Sequence, residues 1–412
     1  MGNVNDPLTP MPLTGKRKFD DINLQTHLEF ACFHAQQFSK PLHQSELPPP
    51  PNNWQEAREH PFHEQWMAAM NAELAALDNK QTWSVVNRPT GVQVVPLKWV
   101  YSYKFDDNGY IGKFKARICV RSDLQRRVVD LVNNRALTLA ARTFRFMMAL
   151  ACAFDLEMSQ MDMSNAFLNA EIPENEMIFT ECAPGCGIPG HVYRLHRALY
   201  GMIDSPVRWL RYLDQTLIDL GFRRIQSEPC LYTNSRIMVM FYVDDIAIFS
   251  RKEDSEEKEK VKKQLAERME IKDCGDLEWF LRIRVTRDRD NRRLWLSHDA
   301  NIDRIVNRFG LQNRPLVSVP LTSVPGPDTG VPATRKQSHE YLERIGSSIH
   351  PAYMTRPDIA SAVSTLASYS ANPSPEHMAH AERCIVYMRD HKFLSIGFDG
   401  RIRLPADFDI FF

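Results

Sequence analysis

The run Tyr242-Val243-Asp244-Asp245 sets two neighbouring carboxylates into an otherwise apolar stretch, with Ile237 to Val243 before them and Ile246 to Phe249 after. Carboxylates in such surroundings are costly to desolvate unless something compensates them, and a divalent cation is the natural compensation. Successive side chains of a strand point to opposite faces. One carboxylate of the pair is therefore expected in a metal's direct shell, Asp244, with Asp245 turned partly away. A further ligand is needed, and Asp162 is the best candidate: it follows apolar Met161 at the end of a short strand-like run. Strands that set Asp162 beside Asp244 would suit two Mg²⁺ ions held by carboxylates and substrate phosphates rather than by an all-protein cage. Two such ions stabilise the attacking and leaving oxygens of an in-line phosphoryl displacement. Taken alone, an Asp-Asp pair is also what a solvated turn looks like, and the apolar flanks are what argue against that.

The elements that must position these acids read as follows. Trp66, Met70, Leu74 and Leu77 recur at helical spacing within 61–79. Two β-rich runs, 94–105 and 110–120, flank Asp106-Asp107-Asn108-Gly109, a hairpin signal. Phe144, Met147, Met148 and Ala151 mark a buried helix ahead of the strand that ends at Asp162. Pro206 to Leu220 is a helix with Pro206 in its first turn and Gly221 just past its end. The acid pair interrupts two apolar strands, and Glu256 to Glu270 is a charged helix after them. A second hairpin spans 279–285 and 293–296, and 315–336 reads as a linker. Two or three helices in 340–396 break near Pro373-Ser374-Pro375.

The chain of 412 residues carries 51 Lys+Arg against 51 Asp+Glu, so any nucleic-acid surface must come from local segregation of charge. A hydrophobic content of 43% is ordinary globular composition, and no apolar run approaches a membrane span. Eight cysteines lack a paired rhythm, which points to free thiols and a reducing, intracellular compartment, cytoplasmic or nuclear. Residues 1–47 are polar, with a basic knot at Lys16-Arg17-Lys18, and Pro48 to Pro51 read as a stiff linker. Poor order is expected up to about Asn53. Cys182, Cys186, His191 and His196 fit no common zinc template, and their Pro/Gly filling marks a surface loop.

Several blocks recur in one order: Trp66 with Glu73, Leu77 and Trp83; Lys98-Trp99-Val100 with Lys104; Lys115-Ala116-Arg117; Gln160-Met161-Asp162 running to Ala166-Phe167-Leu168; Leu199-Tyr200-Gly201-Met202 with Ser205-Pro206 and Trp209. The Tyr-Val-Asp-Asp box follows, then Gly275-Asp276-Leu277 with Phe280-Leu281, and Thr355-Arg356-Pro357-Asp358. In this order and spacing the sequence resembles the reverse transcriptase of copia-type LTR retrotransposons, from about Trp54 to Gly400. The resemblance implies an α+β right-hand polymerase, with fingers, an antiparallel palm sheet packed on helices and a thumb-like hairpin within 54–310. A linker at 311–339 and a mostly helical connection at 340–412 would follow, ending where an RNase H domain would begin. It implies an RNA-directed DNA polymerase, a nucleotidyltransferase that extends a primer on an RNA or DNA template with deoxynucleoside triphosphates, using Mg²⁺ or Mn²⁺. Asp162, Asp244 and Asp245 match its metal-binding catalytic acids, and Phe167 the ring that screens the sugar 2′ side. Lys115 and Arg117 match the pair that meets the triphosphate, and Tyr200-Gly201 the loop under template and nucleotide.

Each assignment has a plainer counterpart. Phe167 is either that screen or core packing, and Lys115 and Arg117 are either phosphate ligands or a solvated strand face. The arginines Arg282, Arg284 and Arg287, with Arg289, Arg292 and Arg293, are either contacts to duplex phosphates or an ordinary exposed hairpin. Three departures stand out: Ile203-Asp204 where the family carries a basic-plus-amide pair, the absence of a Phe-Ser-Pro-Val-Val-like block after Arg117, and Arg282 where a glycine is typical. Ile203-Asp204 and the expected lack of an RNase H part motivate the alternative of a catalytically impaired nucleic-acid-binding remnant.

Overall fold

The computed structural model describes residues 42–106, 109–125, 138–326 and 332–401. The basic knot at 16–18 and the turn residues at 107–108 lie outside them. The chain divides into two compact units, Met1–Ala136 with Asn165–Leu213, and Leu137–Ser164 with Asp214–Phe412.

In the first unit, α1 (Trp54–Glu59) and α2 (His63–Asn79) precede β1 (Trp83–Asn87), β2 (Val94–Val95), β3 (Leu97–Phe105) and β4 (Ile111–Val120). The helical spacing noted above buries Trp66, Met70 and Leu77 of α2. Strands β3 and β4 form an antiparallel two-stranded ribbon. Alternation sends Trp99, Tyr101, Phe114, Ala116 and Ile118 into the core that holds Trp66. Lys98, Lys104, Lys113, Lys115 and Arg117 fall on the opposite face. A four-stranded sheet runs β1-β7-β6-β2, with β6 (Phe179–Thr180) and β7 (His191–Leu195). Trp83 stacks on Tyr193 across it, ring centroids 4.3 Å apart.

The proline run is not the poorly ordered segment expected. Pro51 is buried, the Tyr103 hydroxyl donates to the Pro48 carbonyl at 3.0 Å, and a His60 ring nitrogen lies 3.1 Å from the Pro49 carbonyl. Extended prolines have carbonyls with no ladder partner, and here neighbouring side chains take them.

The second unit is built on a six-stranded antiparallel sheet in the order β12-β5-β11-β10-β9-β8. Its strands are β5 (Glu157–Met163), β8 (Arg223–Ile225), β9 (Glu228–Thr233), β10 (Ile237–Tyr242), β11 (Asp245–Ser250) and β12 (Ile271–Asp276). Ile237 to Phe241 are all buried, which accounts for a strand too apolar to be one-sided. Helix α3 (Ala141–Ala153) precedes β5, and α4 (Ser205–Asp219) leads from the first unit into the second. The charged helix, α5 (Ser255–Arg268), packs Val261 and Leu265 against β11 and β12. A second sheet runs β13-β14-β15-β16, formed by Trp279–Phe280, Ile283–Asp288, Arg293–Ser297 and Ile396–Asp399.

Helices α6 (Asp299–Phe309), α7 (Arg335–Met354), α8 (Ala360–Ala367) and α9 (Pro375–Asp390) complete the unit. Ser374 caps α9 with a capping box, which is why the Pro373-Ser374-Pro375 break falls there. The sequence reading did not anticipate α6. Its Ile302, Ile305 and Val306 share one core with Tyr341, Ile345, Leu366 and Ile385. The expected boundary at 310 therefore cuts through a single hydrophobic cluster, and the expected linker at 311–339 already contains the start of α7. The α+β class itself is as expected.

Candidate active site

Tyr242 pairs with Asp245 across the β10–β11 hairpin, leaving Val243 and Asp244 as a two-residue turn. Val243 adopts φ +56°, a left-handed conformation unfavourable for a β-branched residue. Strand β5 lies antiparallel against β11, with Asp162 directly opposite Asp245. The expectation that Asp244 would face Asp162 is thus corrected. The two-residue turn makes Asp245 the first strand residue, and alternation sets it opposite Asp162. Asp244 sits in the turn, its carbonyl accepting the Met163 N–H at 3.1 Å. Burial, then the neighbouring charges of Asp244 and Asp162, push the Asp245 carboxyl up to about 6, against a hydrogen bond from the Gln160 side chain. Gln160 lies two residues along the same strand face as Asp162. On the other side of β5, Lys272 of β12 stands opposite Asp162.

No ion pair neutralises Asp162, Asp244 or Asp245 among the described residues, and no group of three His, Cys, Asp or Glu there is gathered tightly enough to hold a metal ion by itself. Carboxylates close enough to raise a neighbour's pKa, without a protein cation paired to them, suit an ion that takes one or two carboxylates and completes its shell with water and phosphate oxygens. The Cys182–His196 residues likewise form no such group.

Asp244 and Asp245 open onto a cleft of about 1050 Å³ within the second unit, also lined by Arg282, Arg304, Arg308 and His350. The three singled-out arginines differ in what they do. Arg282 is exposed, lines this cleft, and makes no hydrogen bond or ion pair among the described residues. Arg284 lies over Trp279 at 4.4 Å and pairs with Asp299 at 3.0 Å. Arg287 donates to the Leu156 and Ala151 carbonyls and to Asp155 at 2.6 Å. It ties β14 to the end of α3, with a donor set already satisfied inside the fold. Arg304 and Arg308 belong to α6, so the sequence reading missed them.

The first unit carries the other group. Lys115 and Arg117 sit on the outer face of β4, opposite Ser102 and Val100. Burial, then Arg117 and Lys104, hold Lys115 below its usual value, and the Glu73 carboxylate opposes this. Burial in turn raises Glu73, which accepts the Ile118 N–H. The Arg117 guanidinium lies over the Tyr200 ring at 4.5 Å, and Tyr200 meets the Phe167 ring edge-on at 5.1 Å. Phe167 is half-buried in a 3₁₀ turn, so its ring is not simply core packing. Gly201 has φ +86°, and a Cβ there would come within 2.4 Å of the Val120 carbonyl. Only glycine lets this loop lie against β4, where Val120 N–H donates to the Tyr200 carbonyl at 2.7 Å.

The departure at Asp204 is held by a shared cation. The residue is buried and pairs with Arg208 at 2.7 Å, and Arg208 also pairs with Glu176. One guanidinium thus serves two carboxylates, and Asp204 Oδ1 is buried without a hydrogen-bond partner among the described residues.

An antiparallel sheet with acids at the ends of neighbouring strands, within an α+β fold, is the arrangement that the polymerase resemblance implies. A sequence profile of reverse transcriptase (RNA-dependent DNA polymerase) matches residues 80–323, more than half of the chain, and the chain belongs to that family. It is 29% identical over 353 residues to the retrovirus-related Pol polyprotein from transposon TNT 1-94 of Nicotiana tabacum, covering 82% of this chain and 26% of that one. It is 27% identical over 335 residues to the Pol polyprotein from transposon RE1 of Arabidopsis thaliana, covering 79% and 22%. The chain thus spans about a quarter of the length of these curated relatives. The resemblance to copia-type reverse transcriptases is borne out. A solved structure of a foamy viral protease-reverse transcriptase in complex with double-stranded DNA is 17% identical, with 90% of this chain and 58% of that one covered and a TM-score of 0.44. No described helix is long and apolar enough to cross a membrane.

Proposed function

We propose that the chain is an RNA-directed DNA polymerase that adds deoxynucleotides to a primer 3′-hydroxyl by two-metal nucleotidyl transfer. The observation that carries this reading is the register of β5 against β11, which sets Asp162 opposite Asp245 with Asp244 in the adjoining turn. Asp162, Asp244 and Asp245 would hold Mg²⁺ or Mn²⁺. The bound ions would supply positive charge to the attacking and leaving oxygens of the displacement. Gln160 holds the Asp245 carboxylate in place by its hydrogen bond.

Lys115 and Arg117 would neutralise the incoming triphosphate, the guanidinium offering a planar fork for phosphate oxygens. The Phe167 ring would exclude a sugar 2′-hydroxyl, and the Gly201 loop would allow close backbone approach. Arg282, exposed in the cleft, would contact backbone phosphates of the primer–template. Arg284 and Arg287, already engaged within the fold, would contribute more to holding the hairpin than to binding. Positioning and electrostatic stabilisation account for most of the catalysis in such transfers.

The test is extension of a primer annealed to an RNA template with Mg²⁺ or Mn²⁺, against an Asp244→Asn control. Template-dependent product above that control is expected. Salt-steep binding of primer–template without any product would favour the impaired binder instead.

A further inference from the structure

Three side chains from separate parts of the first unit form a continuous stack. Arg117 projects from β4, Tyr200 from the loop held to the edge of that strand, and Phe167 from the 3₁₀ turn Ala166–Asn169. The guanidinium lies 4.5 Å over the Tyr200 ring, and that ring meets Phe167 edge-on, centroids 5.1 Å apart at an interplanar angle of 68°. Edge-to-face contact is the favourable geometry for an aromatic pair, and a cation over a ring face is favourable for Arg. The Arg117 Nε is buried with no hydrogen-bond partner among the described residues. Tyr200 is therefore a principal restraint on where this guanidinium points.

We propose that Tyr200 is a positioning residue that couples the cation for the triphosphate to the ring that screens the sugar, so that triphosphate affinity and sugar discrimination rise and fall together. The inference rests on the nucleotide reading of Arg117 and Phe167 given above. Its physical content is simple. The loop bearing Tyr200 is anchored through its backbone to β4 by the Val120 N–H bond and by the close approach at Gly201, while the ring itself touches both Arg117 and Phe167. A nucleotide that pulls on Arg117 through its phosphates thus acts on the same ring that supports Phe167 against the sugar. Coupling of this kind is reciprocal: whatever displaces Phe167 also loosens Arg117.

Steady-state single-nucleotide incorporation tests this, with a deoxynucleoside triphosphate and the matching ribonucleoside triphosphate compared for each variant. Tyr200→Leu removes the ring from the stack. It is expected to raise KM for the deoxynucleotide about fivefold to tenfold, to leave kcat within about twofold, and to lower the deoxy-over-ribo preference by a similar factor. Tyr200→Phe keeps the ring and is expected to restore both KM and preference. Should Tyr200→Leu fail to fold, Arg117→Lys serves: it keeps the charge and loses the planar stack, and it should lower sugar preference although residue 117 carries no sugar-screening ring. An active wild type whose Tyr200→Leu and Arg117→Lys variants keep the wild-type sugar preference overturns the coupling and leaves the polymerase reading standing. A wild type that extends no primer overturns both.

Discussion

Asp245 shows how one side chain is held in a state unfavourable to the fold. It is half-buried, opposite Asp162 and next to Asp244, and its carboxyl is pushed up to about 6. Asparagine keeps the shape and an oxygen to accept the Gln160 hydrogen bond, and removes one of three repelling charges. In metal-free buffer at pH 7, Asp245→Asn is expected to stabilise the protein by about 1 kcal/mol after discounting for solvent screening, while primer extension falls about a hundredfold or more. Differential scanning calorimetry alongside the extension assay measures both. A loss of stability would mean that the carboxylate is a structural ligand of the fold. His298 works in the other direction. It is fully buried, lies 2.5 Å from the Thr355 hydroxyl and 3.1 Å from a His350 ring nitrogen, and burial, followed by His350 and Arg356, lowers it to about 3. The unfolded histidine takes up a proton below about 6.5 while the folded one does not. Its contribution is therefore complete above about pH 6.5 and is lost as pH falls from there towards about 3. Between pH 7.5 and 5 the wild type is expected to lose roughly 2 kcal/mol more stability than His298→Gln. Urea unfolding at the two pH values gives the comparison, and equal losses would refute the assignment.

At the scale of elements, the β13–β14 turn departs furthest from what its sequence favours. Phe280 pairs with Ile283, so Leu281 and Arg282 alone make the turn, with φ of +53° and +65°. Turns of this kind favour Asn-Gly, and a side chain in the left-handed region costs about 1 kcal/mol or more. Arg282→Gly is expected to stabilise the fold by about 1 kcal/mol while lowering primer–template affinity and reducing its salt slope by about one. Fluorescence anisotropy across a salt series reads the slope, and a variant that is more stable but binds with an unchanged slope would remove Arg282 from the nucleic-acid contacts. The same element shows what the sequence could and could not convey. The hairpin and the alternation of its arginines were legible, because period-two patterning needs no tertiary information. That Arg287 would spend its donors on the Ala151 and Leu156 carbonyls was not, since those carbonyls belong to the end of α3 and the turn after it, far away in the chain. The three acids were legible as a set, but their pairing was not: it depends on whether the turn takes one residue or two. Helix α6 had its signal in Ile302, Ile305 and Val306, yet it opens on His298 with no side-chain cap hydrogen bond to announce it.

Across the whole molecule, a formal net charge of zero conceals strong local segregation. The outer face of the β3–β4 ribbon carries Lys98, Lys104, Lys113, Lys115 and Arg117, and Lys104 stands directly opposite Lys113. Like charges facing each other across a strand pair work against the fold, and Glu73 is the acid whose charge bears on Lys113, Lys115 and Arg117 together. A face so arranged gains from a polyanion what it lacks from the protein. Each phosphate neutralised by such a cation releases bound counterions, so affinity falls with salt in proportion to the contacts made. Lys104→Gln combined with Lys113→Gln is expected to leave the fold at least as stable as wild type, because it removes the opposed pair. The salt slope for primer–template binding is expected to fall by about two, one for each lost contact, and affinity at low salt to drop accordingly. Lys98 stands on the same face but is not opposed to either lysine, and its replacement by Gln should lower the slope by about one more. If all three replacements leave the slope at its wild-type value while extension persists, the ribbon's outer face does not touch nucleic acid, and its cations serve the triphosphate alone.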